Sequence, residues 1–434
     1  MSHYKPYPAY KDSGVEWIGE VPEHWRVAPI KVLAQVINGA TPESGNPNYW
    51  DGDIAWFTPA DLDNENATEL VEPRRKITAH GLASCAARLT PSGSVVLSTR
   101  APVGSVGVTQ TPSATNQGCR TLVPADGIPS KFLAETLVAA RAELARRSNG
   151  TTFQELSTDS LASLRVPLPP HAEQTAIAAA INRETARIDA LIAKKTEFIQ
   201  LLDKKRQALI THAVTKGLNP KAKMKDSGEK WLGDIPDYWG FVPSKSLFPE
   251  SKERAWADDE HLSATQKYGV IPLAEYERLE ERQVTHAVKN IDQRKHAEVD
   301  DFVISMRSFE GGIERVKARG CVRSSYVVLK AGDMANVGFF FYLFKSTAYI
   351  QGLQATATFI RDGQDLSYSN FRQVKLPRPG LDEQKVIANF LDKSVSRLDL
   401  LTEKTRLSIT LLKQRRSAFI TAAVTGQIDL RESV

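Results

Sequence analysis

Two stretches of the chain differ in pattern from everything around them. From His171 to Lys216 and from Leu381 to Thr425 neither Gly nor Pro occurs, and Ala, Leu, Ile, Lys, Arg and Glu dominate, which predicts two long helices. Pro169 and Pro170 precede the first, Gly380 and Asp382 flank the start of the second, and Gly217 and Gly426 follow their ends. These are the residues that begin and stop helices. Ile181, Ile188, Lys195, Leu202 and Leu209 recur every seven residues, as do Leu391, Leu398, Thr405, Leu412 and Phe419. Such spacing makes an apolar seam that needs a partner helix. At ~1.5 Å per residue each helix would reach roughly 65 Å, longer than a small domain is wide. The economical expectation is that the two pair as an antiparallel coiled coil and hold the rest of the chain apart. Lys195 and Thr405 then occupy equivalent polar positions in the seam.

The regions of about 26–165 and 240–375 read differently. Short apolar runs rich in β-formers (Ser94 to Ser98, Arg120 to Val123, Asp301 to Ser305, Ser325 to Leu329, Phe339 to Phe344) predict strands, and Ser130 to Arg147 predicts a helix. The fold class expected is α+β, with two mixed modules alternating with the two helices.

The alternation reflects an internal duplication. Lys11-Asp-Ser-Gly-Val-Glu-Trp-Ile-Gly-Glu-Val-Pro-Glu-His-Trp25 returns as Lys225-Asp-Ser-Gly-Glu-Lys-Trp-Leu-Gly-Asp-Ile-Pro-Asp-Tyr-Trp239, with 8 identities in 15 positions where chance gives roughly one. Arg165 to Gln174 matches Lys375 to Gln384, and Ile210 to Thr215 matches Ile420 to Thr425. Inside the modules a fainter register survives, with Val96 to Ala101 on Val303 to Ser308 and Asn116 to Leu122 on Arg323 to Leu329. A common frame thus carries different side chains. The expected division is 1–165, 166–217, 218–375 and 376–434.

Composition narrows the function classes. With 434 residues, 41% hydrophobic and 25% charged, the chain is of ordinary globular make-up and too long for one core. No apolar run approaches a membrane span, and a cytoplasmic location is expected. Cys85, Cys119 and Cys321 are far apart and in no CxxC pair, which excludes a disulfide framework and a cysteine zinc site. A net charge of +5 permits a nucleic-acid partner without demanding one.

Candidate contacts gather near predicted strand ends. In the first module these are Arg74, Arg75, Lys76, Arg88, Thr99, Arg100, Asn116 and Gln117; in the second, Arg307, Ser308, Arg315, Lys317, Arg319, Arg323, Ser324, Tyr368 and Asn370. Arg matches guanine and Asn or Gln matches adenine through paired hydrogen bonds, while Lys, Ser and Thr suit phosphate. Catalytic patterns fare worse. Asn46-Pro-Asn-Tyr49 has the wrong third residue for an adenine-methyltransferase motif and reads as a turn. Asp237, Glu250 and Lys252 fit a loose nuclease pattern, but Pro236-Asp237 belongs to the repeat, whose first copy lacks the following Glu-x-Lys. No Walker A, His-Glu-x-x-His or nucleophile elbow is present. A non-catalytic chain is expected, with no metal site.

The duplicated Lys-Asp-Ser-Gly-x-x-Trp-x-Gly-x-x-Pro-x-x-Trp block, the Pro-x-Pro-x-x-x-Glu-Gln helix starts, Ser98-Thr-Arg-Ala-Pro-Val-Gly104 and Asn116-Gln-Gly118 together resemble the specificity subunit of type I restriction-modification systems. The resemblance runs the length of the chain. It implies two target recognition domains that each read one half of a bipartite double-stranded DNA site, and helices that set the separation and dock partners. It also implies two methyltransferase subunits, optionally two restriction subunits, and S-adenosylmethionine, ATP and Mg on those partners, with no cofactor on this chain. The second module has Ser308-Phe-Glu-Gly-Gly312 where the first has Ala101-Pro-Val-Gly-Ser105, so roles do not transfer between modules. A helical adaptor that tethers proteins through the seam, with no DNA role, is the alternative from another class.

Overall fold

The computed structural model describes residues 4–63, 67–148, 155–283, 293–305, 308, 312–356 and 367–431. The chain divides into two compact units, residues 1–195 with 407–434, and residues 196–406. Each unit holds one module, one copy of the repeated block and part of both long helices.

The helices span His171–Lys216 and Leu381–Val424. Gly217 and Gly426 end them at φ +74° and +77°, where a side chain is strained. Space is short there as well: a Cβ on Gly426 would lie 2.3 Å from Pro22, and one on Gly217 would lie 3.2 Å from Trp239. In the first unit, Ile177 and Ile181 of the first helix share a core with Phe419, Ile420 and Val424 of the second. Asp189 takes an ion pair from Arg416 at 3.2 Å. In the second unit, Ile210 and Val214 share a core with Ile387, Leu391 and Val395, and Arg206 pairs with Asp399 at 3.1 Å. The helices therefore run in opposite directions where they meet within each unit. Along the sevenfold spacing Ile181, Ile188, Leu202, Leu391 and Phe419 are buried, and Leu209, Leu398 and Leu412 are half-buried. Thr405 is buried with its hydroxyl donating to its own helix at Leu401 O, 2.7 Å, and Lys195 is half-buried.

The two anchors of the duplication touch each other. Trp25 Nε1–H donates to Glu173 Oε2 at 2.9 Å, and Trp239 Nε1–H donates to Glu383 Oε2 at 3.1 Å. The last Trp of each repeated block is thus bonded to the Glu of the helix start that follows its module. Both indoles are buried, so a carboxylate acceptor removes the cost of an unpaired N–H. The next residue acts alike in both copies: Gln174 and Gln384 donate to Pro169 O and Pro379 O at 2.8 and 2.9 Å. Each block also forms a hairpin, Tyr10–Asp12 with Glu20–Pro22 and Met224–Asp226 with Asp234–Pro236.

Each module leaves this frame and returns to it through one antiparallel strand pair, Arg26–Pro29 with Arg165–Leu168 in the first and Gly240–Pro243 with Lys375–Arg378 in the second. Its two ends are thereby clamped side by side. The first module contains a five-stranded sheet, in spatial order Ala34–Asn38, Cys119–Pro124, Val95–Ser98, Val106–Thr109 and Thr68–Leu70, and a three-stranded sheet around Trp50–Phe57. Val95-Val-Leu-Ser98 is buried at every position, as expected of a strand covered on both faces. The second has a four-stranded sheet, Glu250–Ser251, Val327–Leu329, Phe302–Ile304 and Glu314–Arg315, with smaller two-stranded pieces.

Two predicted elements need correction. Phe339 to Phe344 is not a strand but part of the helix Val337–Lys345. Five of the run's six residues are buried, with only Phe341 half-buried, and a run so uniformly apolar carries little period by which strand and helix differ. The Asn336 side chain, accepting from Phe339 N–H at 3.0 Å, caps it and decides for helix. The predicted helix of 130–147 is two, Ser130–Ala139 and Arg141–Arg146, broken at Ala140. Asn46 to Tyr49 is a turn ending in a 3-10 segment, with the Asn46 side chain accepting from Asn48 N–H.

Candidate nucleic-acid interface

In the first unit three neighbouring strands end together, with Arg120 opposite Asn38 and Cys119 opposite Ser98. The loops leaving these ends carry Arg100, Asn116 and Gln117, and the fold brings them together. Arg120 organises the group. Its Nε–H donates to Thr158 Oγ1 at 3.0 Å and its Nη1–H to Gln117 O at 3.0 Å, and Nη2 lies 3.8 Å from Glu155. Burial pushes the Arg120 pKa down, Glu155 counters it, and Arg100 adds to the lowering. Arg100 is half exposed and shares Glu155 at 3.3 Å. Asn116 accepts from Gly118 N–H at 3.0 Å, and the exposed Gln117 meets the Thr41 hydroxyl. A Cβ at Gly39 would lie 2.0 Å from Asn116 O, so this close approach of strand and loop requires glycine. What the group offers outward is a guanidinium, an amide and a hydroxyl, the donors and acceptors that read base edges.

A second patch of the unit holds Arg74, Arg75 and Lys76. Arg75 lies over the Trp50 ring, 3.6 Å from its centroid, Arg74 N–H is fixed by Asp61 at 2.9 Å, and Lys76 pairs with Glu72 at 3.1 Å. Arg88 is exposed. Thr99 is different: it is fully buried and its hydroxyl donates to Gly118 O at 3.2 Å. It shapes the loop and has no surface to offer DNA, which corrects its assignment as a contact.

In the second unit Lys317 and Arg319 precede the strand Gly320–Val322, Arg323 and Ser324 follow it, and all four are exposed. Arg315 places Nε and Nη2 on one oxygen of Asp300, at 2.8 and 2.6 Å, and Arg319 pairs with Asp258. Ser308 is corrected as a contact, and Tyr368 and Asn370 are half-buried and engaged within the fold. Ser308 is buried and its hydroxyl accepts from Ser305 N–H at 2.9 Å. Tyr368 packs on the core and donates to Phe248 O at 3.3 Å. Asn370 is absorbed by a helix start, accepting from Ser367 and donating to Thr356 O at 2.9 Å. Arg307 lies outside the described residues. Glu250 of the loose nuclease pattern faces Lys295 at 3.6 Å, and among the described residues no group of His, Cys, Asp or Glu is placed to hold a metal ion. No helix among them is long and apolar enough to cross a membrane.

Sequence reasoning missed Arg120, Glu155 and Thr41, which support or extend the first group. It also missed Trp256 and His296 in the second unit, a stacked pair with ring centroids 3.8 Å apart. Single aromatic and acidic residues carry no periodic signal, so only the folded chain shows what they face.

Comparison with known proteins fits this geometry. The family model described as the type I restriction modification DNA specificity domain matches residues 22–201, one module and most of the helix that follows it. The type I restriction enzyme MjaIX specificity subunit of Methanocaldococcus jannaschii is 35% identical over 192 residues. Over residues 22–201 this chain is similar to the type I specificity subunits. The internal duplication repeats the anchors of that region in the second half. The MjaIX match covers 43% of each chain, and a second relative from the same organism is matched over 62% of its length. The EcoprrI specificity subunit of Escherichia coli aligns over 91% of this chain and 90% of its own, at 23% identity. Among solved structures, a chain from a study of complex assembly and conformational transition of the type I R-M system gives a TM-score of 0.70 at 15% identity, covering 93% of this chain and 98% of that one. The HsdS subunit of Thermoanaerobacter tengcongensis gives 0.55 at 16%, covering 94% and 98%. At such identities the likeness speaks for the fold alone.

Proposed function

We propose that this chain is the specificity subunit that addresses a type I restriction-modification complex to DNA, each module reading one half of a bipartite duplex target. The observation that carries the reading is the matched pair of clamped modules. The Trp25–Glu173 and Trp239–Glu383 bonds repeat, whereas the exposed groups at the module surfaces differ, Arg100 and Gln117 in one and Arg319, Arg323 and Ser324 in the other. Two matched holders with different surfaces suit two different half-sites.

The long helices, paired as one antiparallel coiled coil, set the distance between the half-sites. They also dock two methyltransferase subunits, and restriction subunits where present. Exposed apolar side chains on the second helix support docking: Val386, Phe390, Leu400, Leu401, Leu407 and Leu411 fall within about 60° of one line at ~100° per residue. Exposed Lys393, Arg397 and Lys404 are interleaved with them along the same line, so the face offers apolar side chains together with cations. S-adenosylmethionine, ATP and Mg belong to those partners, and this chain supplies the address without chemistry of its own.

The test is single-molecule sequencing of adenine methylation in the host with and without the gene. Loss of one asymmetric bipartite motif is the expected result. An unchanged methylome in a host with an active partner methyltransferase would favour the adaptor alternative. Duplex affinity that falls steeply with salt separates the two in vitro.

A further inference from the structure

Trp256 is the largest of the exposed apolar side chains among the described residues of the second unit. It is 43% exposed, an unusual position for the largest apolar residue, yet it is held firmly. Its Nε1–H donates to Glu253 at 3.0 Å and its backbone N–H to Asp259 at 2.8 Å. One face of the indole lies on His296, 14° from parallel.

His296 is fully buried, with Nδ1 2.8 Å from Asp259 Oδ2 and Nε2 3.0 Å from Glu298 Oε1. Carboxylates beside both ring nitrogens favour a ring that donates from both, the imidazolium form. Burial works against that charge, but the hydrogen bonds to Asp259 and Glu298, with the charges of Asp259 and Glu253, outweigh it and leave the pKa raised. Arg319 brings a second cation, its guanidinium 5.5 Å from the indole centroid. Its partner Asp258 is 68% exposed, and a pair so open to water is weak and free to exchange.

We propose that the Trp256 indole, with Arg319 beside it, is a direct contact of the second unit with duplex DNA, packing on a base edge or its sugar in one half-site. This rests on the DNA-reading function proposed above. Two observations favour DNA over a protein partner. The exposed residues on the adjoining strand and turns include Lys317, Arg323 and Ser324, beside one acid, Glu260, chemistry for phosphate and bases. The first module also sets an arginine against a tryptophan, Arg75 on Trp50, there with a buried indole. Glu253 and Asp258 engage the Trp256 indole and Arg319, so the patch has little net pull on phosphate. Its contribution is therefore selectivity more than salt-dependent affinity.

The test compares wild type with Trp256→Ala, Trp256→Phe and Arg319→Gln, each restored to a host lacking the gene, and reads the adenine methylation motif. The expected result for Trp256→Ala is a loss of selection at one or two positions of one half, or a fall of about tenfold or more in occupancy. The other half stays intact, and Trp256→Phe retains most of the function. A wild-type motif at wild-type occupancy in Trp256→Ala would overturn the proposal. So would equal loss of both halves in Trp256→Ala and Trp256→Phe, which is the mark of a folding role. A second readout needs only the wild type and Trp256→Phe, each assembled with the partner methyltransferase. The fluorescence difference between them isolates Trp256, and it should change on adding duplex with both half-sites but not duplex with the other half-site alone. No change with either duplex would overturn the contact. A wild-type gene that imposes no motif at all would instead count against the underlying reading.

Discussion

Replacing Glu173 by Ala should loosen the first unit more than replacing Glu383 by Ala loosens the second, although the two residues are equivalent in the duplication. Glu173 accepts from Trp25 Nε1–H at 2.9 Å, from the Tyr7 hydroxyl at 3.1 Å, and meets His24 at 2.7 Å. Trp25 and Tyr7 are both buried, and burial, with the Glu173 charge second, pushes the Tyr7 phenol far above its ordinary pKa. It is a donor throughout the usable pH range. Removing the carboxylate strands two buried donors at roughly 1–3 kcal/mol each, about 3 to 4 in all, with little added by the half-exposed His24. Glu383 serves one buried donor, Trp239, and the exposed Tyr238, so its loss costs about half as much. Hydrogen–deuterium exchange over residues 20–30 and 234–245 of the full chain measures both sites in one experiment. Glu173→Ala should lower protection of the first segment by roughly 3 kcal/mol and Glu383→Ala that of the second by about 1.5, while Glu173→Gln should restore most of the difference by keeping an acceptor. Equal losses, or a larger loss at Glu383, would refute the assignment of the asymmetry to Tyr7.

Three further outcomes follow from particular contacts. Burial raises the Glu135 carboxyl to about 7, with Arg416 and then Lys131 opposing it. The folded state thus prefers the protonated form, and stability present at low pH is lost as pH rises from about 4.5 through about 7, by roughly 3 kcal/mol at most. In Glu135→Gln, exchange protection of the helix Ser130–Ala139 should lose that pH dependence; an unchanged slope would contradict the burial argument. Gly426→Ala combines a positive φ with a Cβ 2.3 Å from Pro22, whereas a Cβ on Gly380 meets nothing within 4 Å, so thermal unfolding should show a cost of a few kcal/mol for the first and about none for the second. Exchanging residues 30–164 for another module while keeping both clamp strands should change one half of the methylation motif, and adding whole turns to the long helices should change its spacer; both halves changing together would end the two-reader account.

The frame was far more legible than the working surface. A 46-residue helix without Gly or Pro announces itself through composition and spacing, and the duplication marked Trp25 and Glu173 as anchors before any contact was visible. Sequence could not say that these anchors bond to each other, because they lie 148 positions apart. Strands such as Val95–Ser98 were readable as β-branched runs, but Val337–Lys345 was not, since a helix with an almost continuous apolar run looks like a buried strand. The site failed in a systematic way. Thr99, Ser308 and Asn370 are polar residues at strand or helix ends, and such residues serve the local backbone as often as a partner. Their hydroxyls and amides were already committed to Gly118, Ser305 and Ser367. Arg100 and Gln117 point to the opposite case, in which the loop is held by other groups and the side chain is left for the surface.

That separation of duties explains how one fold can carry two addresses. The clamp pairs Arg26–Pro29 with Arg165–Leu168 through backbone hydrogen bonds, which are indifferent to the side chains of the module they close. The helix start is fixed by Trp25 and Glu173, which lie in the frame. A change at Arg100, Gln117 or Arg319 disturbs none of these contacts and costs only exposed interactions of small worth, to Glu155, Thr41 or Asp258 and Trp256. Recognition residues can therefore vary at little cost in stability, whereas a change in the frame exposes a buried indole N–H. Under such unequal costs the two halves are expected to diverge as they have, alike in the repeated blocks and helix starts and different in the surfaces proposed to meet DNA.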